Sequence, residues 1–139
     1  MFDKILVAVD HSEMSDRALD AARDLALLSK GEVWVLHLRE REMAAKTGAL
    51  VHDETTDEAN AKVRACVEAL AQAGVKAYGQ VRDTIFGYAA REIVNDAQEI
   101  GADVIVMGSR GRSDLAGLLL GSTAHKVLHL SRRPVLIVR

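Results

Sequence analysis

The stretch GSRGRSDLAGLLLGST, residues 108 to 123, holds four of the chain's ten glycines and ends on two hydroxyls. Gly108, Gly111, Gly121 and Ser122 give it the spacing G-x2-G-x9-G-[S/T]. Glycine at 108 and 111 leaves backbone N–H groups open to a ligand with no side chain in the way. Gly121-Ser122-Thr123 reads as the opening of a helix, where unpaired amides and the positive dipole end attract an anion and the hydroxyls add donors. A glycine turn and a helix start on either side of a nine-residue flap suit a chain of phosphates. The pattern is not the P-loop, because no Lys follows a glycine before Ser or Thr, and it is not the dinucleotide GxGxxG. The alternative reading is a plain surface loop with a helix cap. Arg110 and Arg112 read either as phosphate contacts or as solvated charges.

Five short apolar runs alternate with helical patterns. Lys4-Ile5-Leu6-Val7-Ala8-Val9 is nearly continuous, as in a strand buried on both faces. Ser12 can cap a helix carrying Ala18, Leu19, Ala22, Leu25 and Ala26 on one stripe, with Gly31 placed to stop it. The second run covers residues 32 to 38. Residues 39 to 52 show no clean period, and a connection of that length in a compact domain is mobile or functional. A second helix is predicted from Asp53 with Ala59, Val63, Cys66, Val67 and Leu70 on one face. Residues 75 to 82 alternate strictly, as in a half-exposed strand, and a third helix is predicted from Asp83 or Thr84 with Ile85, Ala89, Ile93, Ala97 and Ile100 in step. The fourth run ends at Met107, a short helix passes through Val127 and Leu128, and the last run is Val135 to Val138.

This alternation predicts an α/β fold: a doubly wound, five-stranded parallel sheet with helices on both faces, in a single domain over residues 1–139. The continuous first and fourth runs belong in the middle and the alternating third at an edge, which a 3-2-1-4-5 order satisfies. Ligands of such sheets bind beyond the carboxyl ends of the strands where the winding reverses, here between the first and fourth. Asp10 and Gly108 end those strands, so two distant parts of the sequence converge on one crevice. Asp10 offers a carboxylate to sugar hydroxyls or a metal; alternatively it serves as a helix N-terminal charge. The same order puts the apolar run 135–138 at the other edge, blunted only by Pro134 and the flanking arginines 132, 133 and 139. An edge of that kind templates pairing with another chain, which predicts a homodimer through this strand.

Composition narrows the field. The net charge of −2 gives no reason to expect a nucleic-acid or membrane surface, and no apolar run approaches the roughly 18 residues of a membrane span. The lone Cys66 cannot form an internal disulfide, and with an amino terminus that reads as a strand this points to the cytoplasm. His125 and His129, at i and i+4, have metal-binding spacing but no third ligand beside them and no HExxH glutamate. No GxSxG elbow is present, and no second carboxylate or convincing base accompanies Asp10. Nucleotide binding without efficient turnover fits these residues better than hydrolysis. A slow ATPase, and a nucleotide-free dimer acting through protein contacts, are the alternatives.

The glycine spacing, together with KILVAVDHSEMSDRALDAA at the start, VLHL in the second run and ADVIVMGSRGRSDLAGLLLGSTAHKVLHLSRRPVLIV at the end, resembles the universal stress proteins in their ATP-binding branch. The resemblance covers the whole chain, with His11 where a glycine is common. It implies that Ala8, Val9 and Asp10 line the adenosine end and Leu38 packs on adenine. It further implies that Met107, Gly108, Arg110 and Gly111 border ribose and phosphates, and that Gly121, Ser122, Thr123 and Ala124 hold the phosphates. ATP (or AMP or ADP), with Mg²⁺ accompanying a triphosphate, is the implied ligand, and a stress-response dimer paired through the last strand the implied assembly.

Overall fold

The computed structural model describes residues 1–43, 48, 50–52, 54–111, 117 and 119–139. Among these residues six strands form the sheet, five of them parallel: β1 (Lys4–Val9), β2 (Glu32–Met43), β4 (Ala77–Ile85), β5 (Val104–Gly108) and β6 (Val135–Val138), with β3 (Leu50–His52) the antiparallel one. The order of the parallel five, β4-β2-β1-β5-β6, is the expected 3-2-1-4-5 of the five apolar runs. The helices are α1 (Glu13–Ser29), α2 (Thr56–Gln72), α3 (Ala89–Ile100) and α4 (Ser122–Leu130).

The apolar run of β1 is continuous because it serves two cores. Ile5, Val7 and Val9 face α1 and α2, packing with Ala18, Ala22, Cys66 and Leu70. Leu6 faces the other way, with Ile93, Ala97, Ile105 and Val127 of α3, β5 and α4. Small alanines on α1 let that helix lie close to the sheet. Cys66 is buried, and burial pushes its thiol pKa up, as expected of a packing residue.

Three boundaries differ from the sequence-based expectation. Helix α1 ends at Ser29, with Lys30 rather than Gly31 taking the stop, in the left-handed region at φ 57°. Helix α2 starts at Thr56, where Thr55 and Glu58 form a reciprocal capping box; Asp53, the expected start, lies outside the described residues. The third is larger. Asp83, Thr84 and Ile85 belong to β4, not to a helix, because β2 continues through the charged segment Arg39–Met43 and pairs with them at Arg39↔Asp83, Glu40↔Thr84 and Arg41↔Ile85. Arg39 and Asp83 add an ion pair across that register at 2.9 Å. Gly87, at φ 93°, then turns the chain into α3.

The overhang of β2 beyond β1 is flanked on its other side by a short antiparallel strand that the sequence pattern does not predict, β3 (Leu50–His52), in register Arg41↔His52 to Met43↔Leu50. The unpatterned segment 39–52 is therefore partly sheet. Buried Asp96 of α3 meets Arg82 and Gln80 of β4 and anchors the helix to the edge strand. Burial pushes the Asp96 carboxyl above its ordinary range, and the Arg82 guanidinium works against that rise.

Candidate functional site

The winding reverses between β1 and β5, and the cleft lies beyond their carboxyl ends. Of the residues expected there, Ala8, Val9, Asp10, Leu38, Met107, Gly108, Arg110, Gly111, Thr123 and Ala124 all line one cavity of about 110 Å³. Ser122 lines an adjoining cavity of about 460 Å³ that shares Asp10, Leu38, Glu40, Gly111 and Thr123 with the first. Gly121 stands at the N-cap of α4, directly before them. Leu36, Ala89 and Ile93 complete the apolar part of the lining. Arg112 lies outside the described residues.

Each wall has a local cause. The Asp10 N–H donates to Ser15 Oγ at 2.8 Å, and Asp10 Oδ1 accepts from the Ser12 N–H at 2.8 Å and from the Ser12 hydroxyl. Ser12 Oγ in turn accepts from the Ser15 N–H at 3.2 Å as the cap of α1. Asp10 thus combines a place in the cleft lining with a role at the start of α1, so the two readings of this residue are compatible. Gly108 has a packing role as well: a Cβ there would stand 2.8 Å from Met14 Cβ and 3.2 Å from the Met14 carbonyl carbon. The glycine lets the first turn of α1 close against the end of β5.

Residues on either side of the 112–120 segment are tied together. Gly121 N–H donates to the Ser109 carbonyl at 2.6 Å, and the Ser109 N–H donates to the Val138 carbonyl at 2.8 Å. The first intrahelical bond of α4 runs from the His125 N–H to the Gly121 carbonyl, and no side chain among the described residues caps the helix. The amides of Ser122, Thr123 and Ala124 therefore precede the ladder, with Ser122 and Thr123 lining the larger cavity. Arg110 and Lys126 bring positive charge to the cleft, and Asp10, Glu40, Glu42 and Glu54 bring negative charge.

The larger cavity holds a cluster that sequence reasoning missed. His11, His37 and Glu54 meet there, with His37 Nε2 2.5 Å from Glu54 Oε1 and His11 Nε2 2.7 Å from Glu54 Oε2. Burial alone would raise the Glu54 pKa, but hydrogen bonds and charge from the two histidines outweigh it and hold the carboxyl below its usual range. His11 follows the end of β1, and His37 lies beside that end on the adjacent strand; this adjacency was the available signal. Glu54 reaches them only through the return of the chain after β2. His125 and His129 are both exposed and have no third ligand among the described residues.

The Universal stress protein family profile matches residues 1–139. The chain is 42% identical to Universal stress protein YxiE of Bacillus subtilis, with all of both chains covered. The solved structure of protein MJ0577 of Methanocaldococcus jannaschii superposes with a TM-score of 0.82 at 31% identity, covering 99% of this chain and 96% of that one. A universal stress protein from Archaeoglobus fulgidus, solved in complex with dAMP, superposes at 0.74 with 25% identity over the full length of both.

Proposed function

Since the chain belongs to the universal stress protein family, we propose that it is an ATP-binding regulatory protein of the stress response, acting as a homodimer in the cytoplasm. One observation carries the reading. The Asp10 end of β1 and the start of α4 line one cleft, whose lining combines apolar side chains with the first residues of a helix. Ala8, Val9, Leu38 and Met107 supply the apolar surface an adenosine needs. The amides of Ser122, Thr123 and Ala124 supply anion donors at a helix N-terminus, where phosphate groups are favoured. Arg110 and Gly111 border the path between. The dAMP complex of the Archaeoglobus relative supports an adenine nucleotide as the ligand class.

Mg²⁺ accompanies the triphosphate in this reading. The carboxylates of Asp10, Glu40 and Glu42 line the same cleft, and a divalent ion offsets their repulsion of the phosphates. Gentle denaturation of purified protein, followed by identification of any released nucleotide, is expected to yield an adenine nucleotide. A chain that releases none and does not bind added ATP with Mg²⁺ in calorimetry would refute the proposal.

The dimer rests on β6. It pairs only with β5 among the described residues, leaving an edge whose Leu136 is 41% exposed. A two-fold partner pairing along that edge would cover it. Sedimentation is expected to give a dimer, and Leu136→Glu is expected to shift it towards monomer with the fold retained. A parent protein that sediments as a monomer at tens of micromolar, roughly the range where weak pairing already shows, overturns the assembly.

A further inference from the structure

We propose that His11, His37 and Glu54 form a binding site for a divalent transition metal of the Zn²⁺ class, distinct from the ion that would accompany nucleotide phosphates. The proposal does not depend on nucleotide binding, because none of its three ligands is given a contact to the nucleotide.

Three separate segments build the cluster. His11 follows the end of β1, His37 lies opposite Val9 in the β1–β2 register, and Glu54 immediately precedes the Thr55 cap of α2. Their nearest ligand atoms all lie within 4.8 Å of one another, which no other group of three or more His, Cys, Asp or Glu achieves among the described residues. The rings of His11 and His37 meet edge to face, 5.3 Å between centroids, and do not block each other's Nε2.

The proton inventory points to a cation. His37 Nδ1 lies 2.9 Å from the Val9 carbonyl oxygen, which can only accept, so Nδ1 carries the hydrogen. A neutral His37 then aims the lone pair of Nε2 at Glu54 Oε1, 2.5 Å away, where a carboxylate presents a lone pair of its own. Such a contact requires something positive between the two atoms. A neutral His11 can donate its own Nε2–H to the other carboxylate oxygen, 2.7 Å away, so the demand for a cation comes from His37. An added proton answers it; so does one metal ion held by both imidazoles and the carboxylate.

The surroundings match what metal sites need. The Val9 carbonyl fixes the His37 tautomer and aims its ring, the outer-sphere contact that metal-bound histidines ordinarily make. His37 is 2% exposed and held in place, whereas His11 has a 38% exposed side chain and can swing to complete the geometry. Tetrahedral zinc with bonds of about 2.0–2.1 Å sets its ligand atoms about 3.3 Å apart, so small side-chain rotations convert the cluster. Two imidazoles and one carboxylate are a ligand set of open zinc sites, and imidazole favours Zn²⁺ over Mg²⁺. The same cavity is lined by Asp10, Glu40 and Glu42, whose charge raises the local concentration of cations.

The test uses the full-length chain, stripped of metal by chelator and free of nucleotide, titrated with Zn²⁺ against a chromophoric chelator. One Zn²⁺ per chain is expected, with millimolar Mg²⁺ failing to displace it, and Co²⁺ in its place is expected to give visible bands of a four-coordinate ion. His11→Gln and His37→Gln should each weaken binding by more than about tenfold. His125→Gln should leave it unchanged. His11 is partly exposed, so its variant keeps the test decisive even if the buried His37→Gln fails to fold. Absence of stoichiometric Zn²⁺ binding, or binding that survives His11→Gln, overturns the proposal and leaves protons to bridge the cluster. Persistence of Zn²⁺ binding in a chain that binds no ATP would separate this site from the nucleotide reading.

Discussion

Gly121→Asp is expected to weaken ATP binding by at least about 100-fold while leaving the protein folded, a difference of nearly 3 kcal/mol in binding free energy. The backbone at Gly121 is extended, φ −74° and ψ 167°, which any residue adopts. Aspartate is among the best N-cap residues, and its carboxylate would accept from the second and third amides of α4, those of Thr123 and Ala124. The helix gains a cap and the anion site is filled from within. An added negative charge about 4 Å from a phosphate costs a few kcal/mol at the effective dielectric of a protein surface. Gly121→Asn, with the same shape and no charge, should lose less. Calorimetric titration of both variants checks this, and an unchanged ATP affinity would place the phosphates elsewhere.

The second large effect is structural. Gly108→Val is expected to destabilise the fold by about 3 kcal/mol, at the upper end of ordinary overpacking costs. Its Cβ alone would sit 2.8 Å from Met14 Cβ and 3.2 Å from the Met14 carbonyl oxygen. That contact includes helix backbone, which cannot rotate aside as a long side chain would. Relief requires the first turn of α1 to move, and Asp10 is tied to that turn through Ser12 and Ser15. Urea unfolding should show a lower midpoint at unchanged slope, and ATP affinity should fall together with stability. A midpoint equal to the parent's would mean that α1 does not rest on β5.

Much of the fold is legible in the order of the residues alone, because it is written in local pattern. β1 reads as a central strand from its continuous apolar run, and β4 as an edge from its alternation. The failures come where distant pairing decides. Ile85 stands four residues before Ala89, in step with the α3 stripe, so it counts as helical until β2 claims it at Arg41. The charges of Arg39–Glu42 hide a strand because they lie beyond the core, on an overhang bordered by β3 and β4. The cleft itself is legible, since sheet order brings Asp10 and Gly108 together. The packing role of Gly108 is not, because the facing residue, Met14, is set by how α1 lies on the sheet. Nor is the His11–His37–Glu54 meeting, which needs strand register and a chain return at once.

Two short bonds reach further than their size suggests. Gly121 leans on Ser109, and Ser109 leans on Val138 in the rim strand. Movement of that rim shifts the acceptor on which this relay ends, so its first link, at the turn before α4, is not mechanically private. Where such a linkage joins two binding events it is reciprocal: a neighbour gripping the rim and a guest in the cleft alter each other's affinity by the same factor.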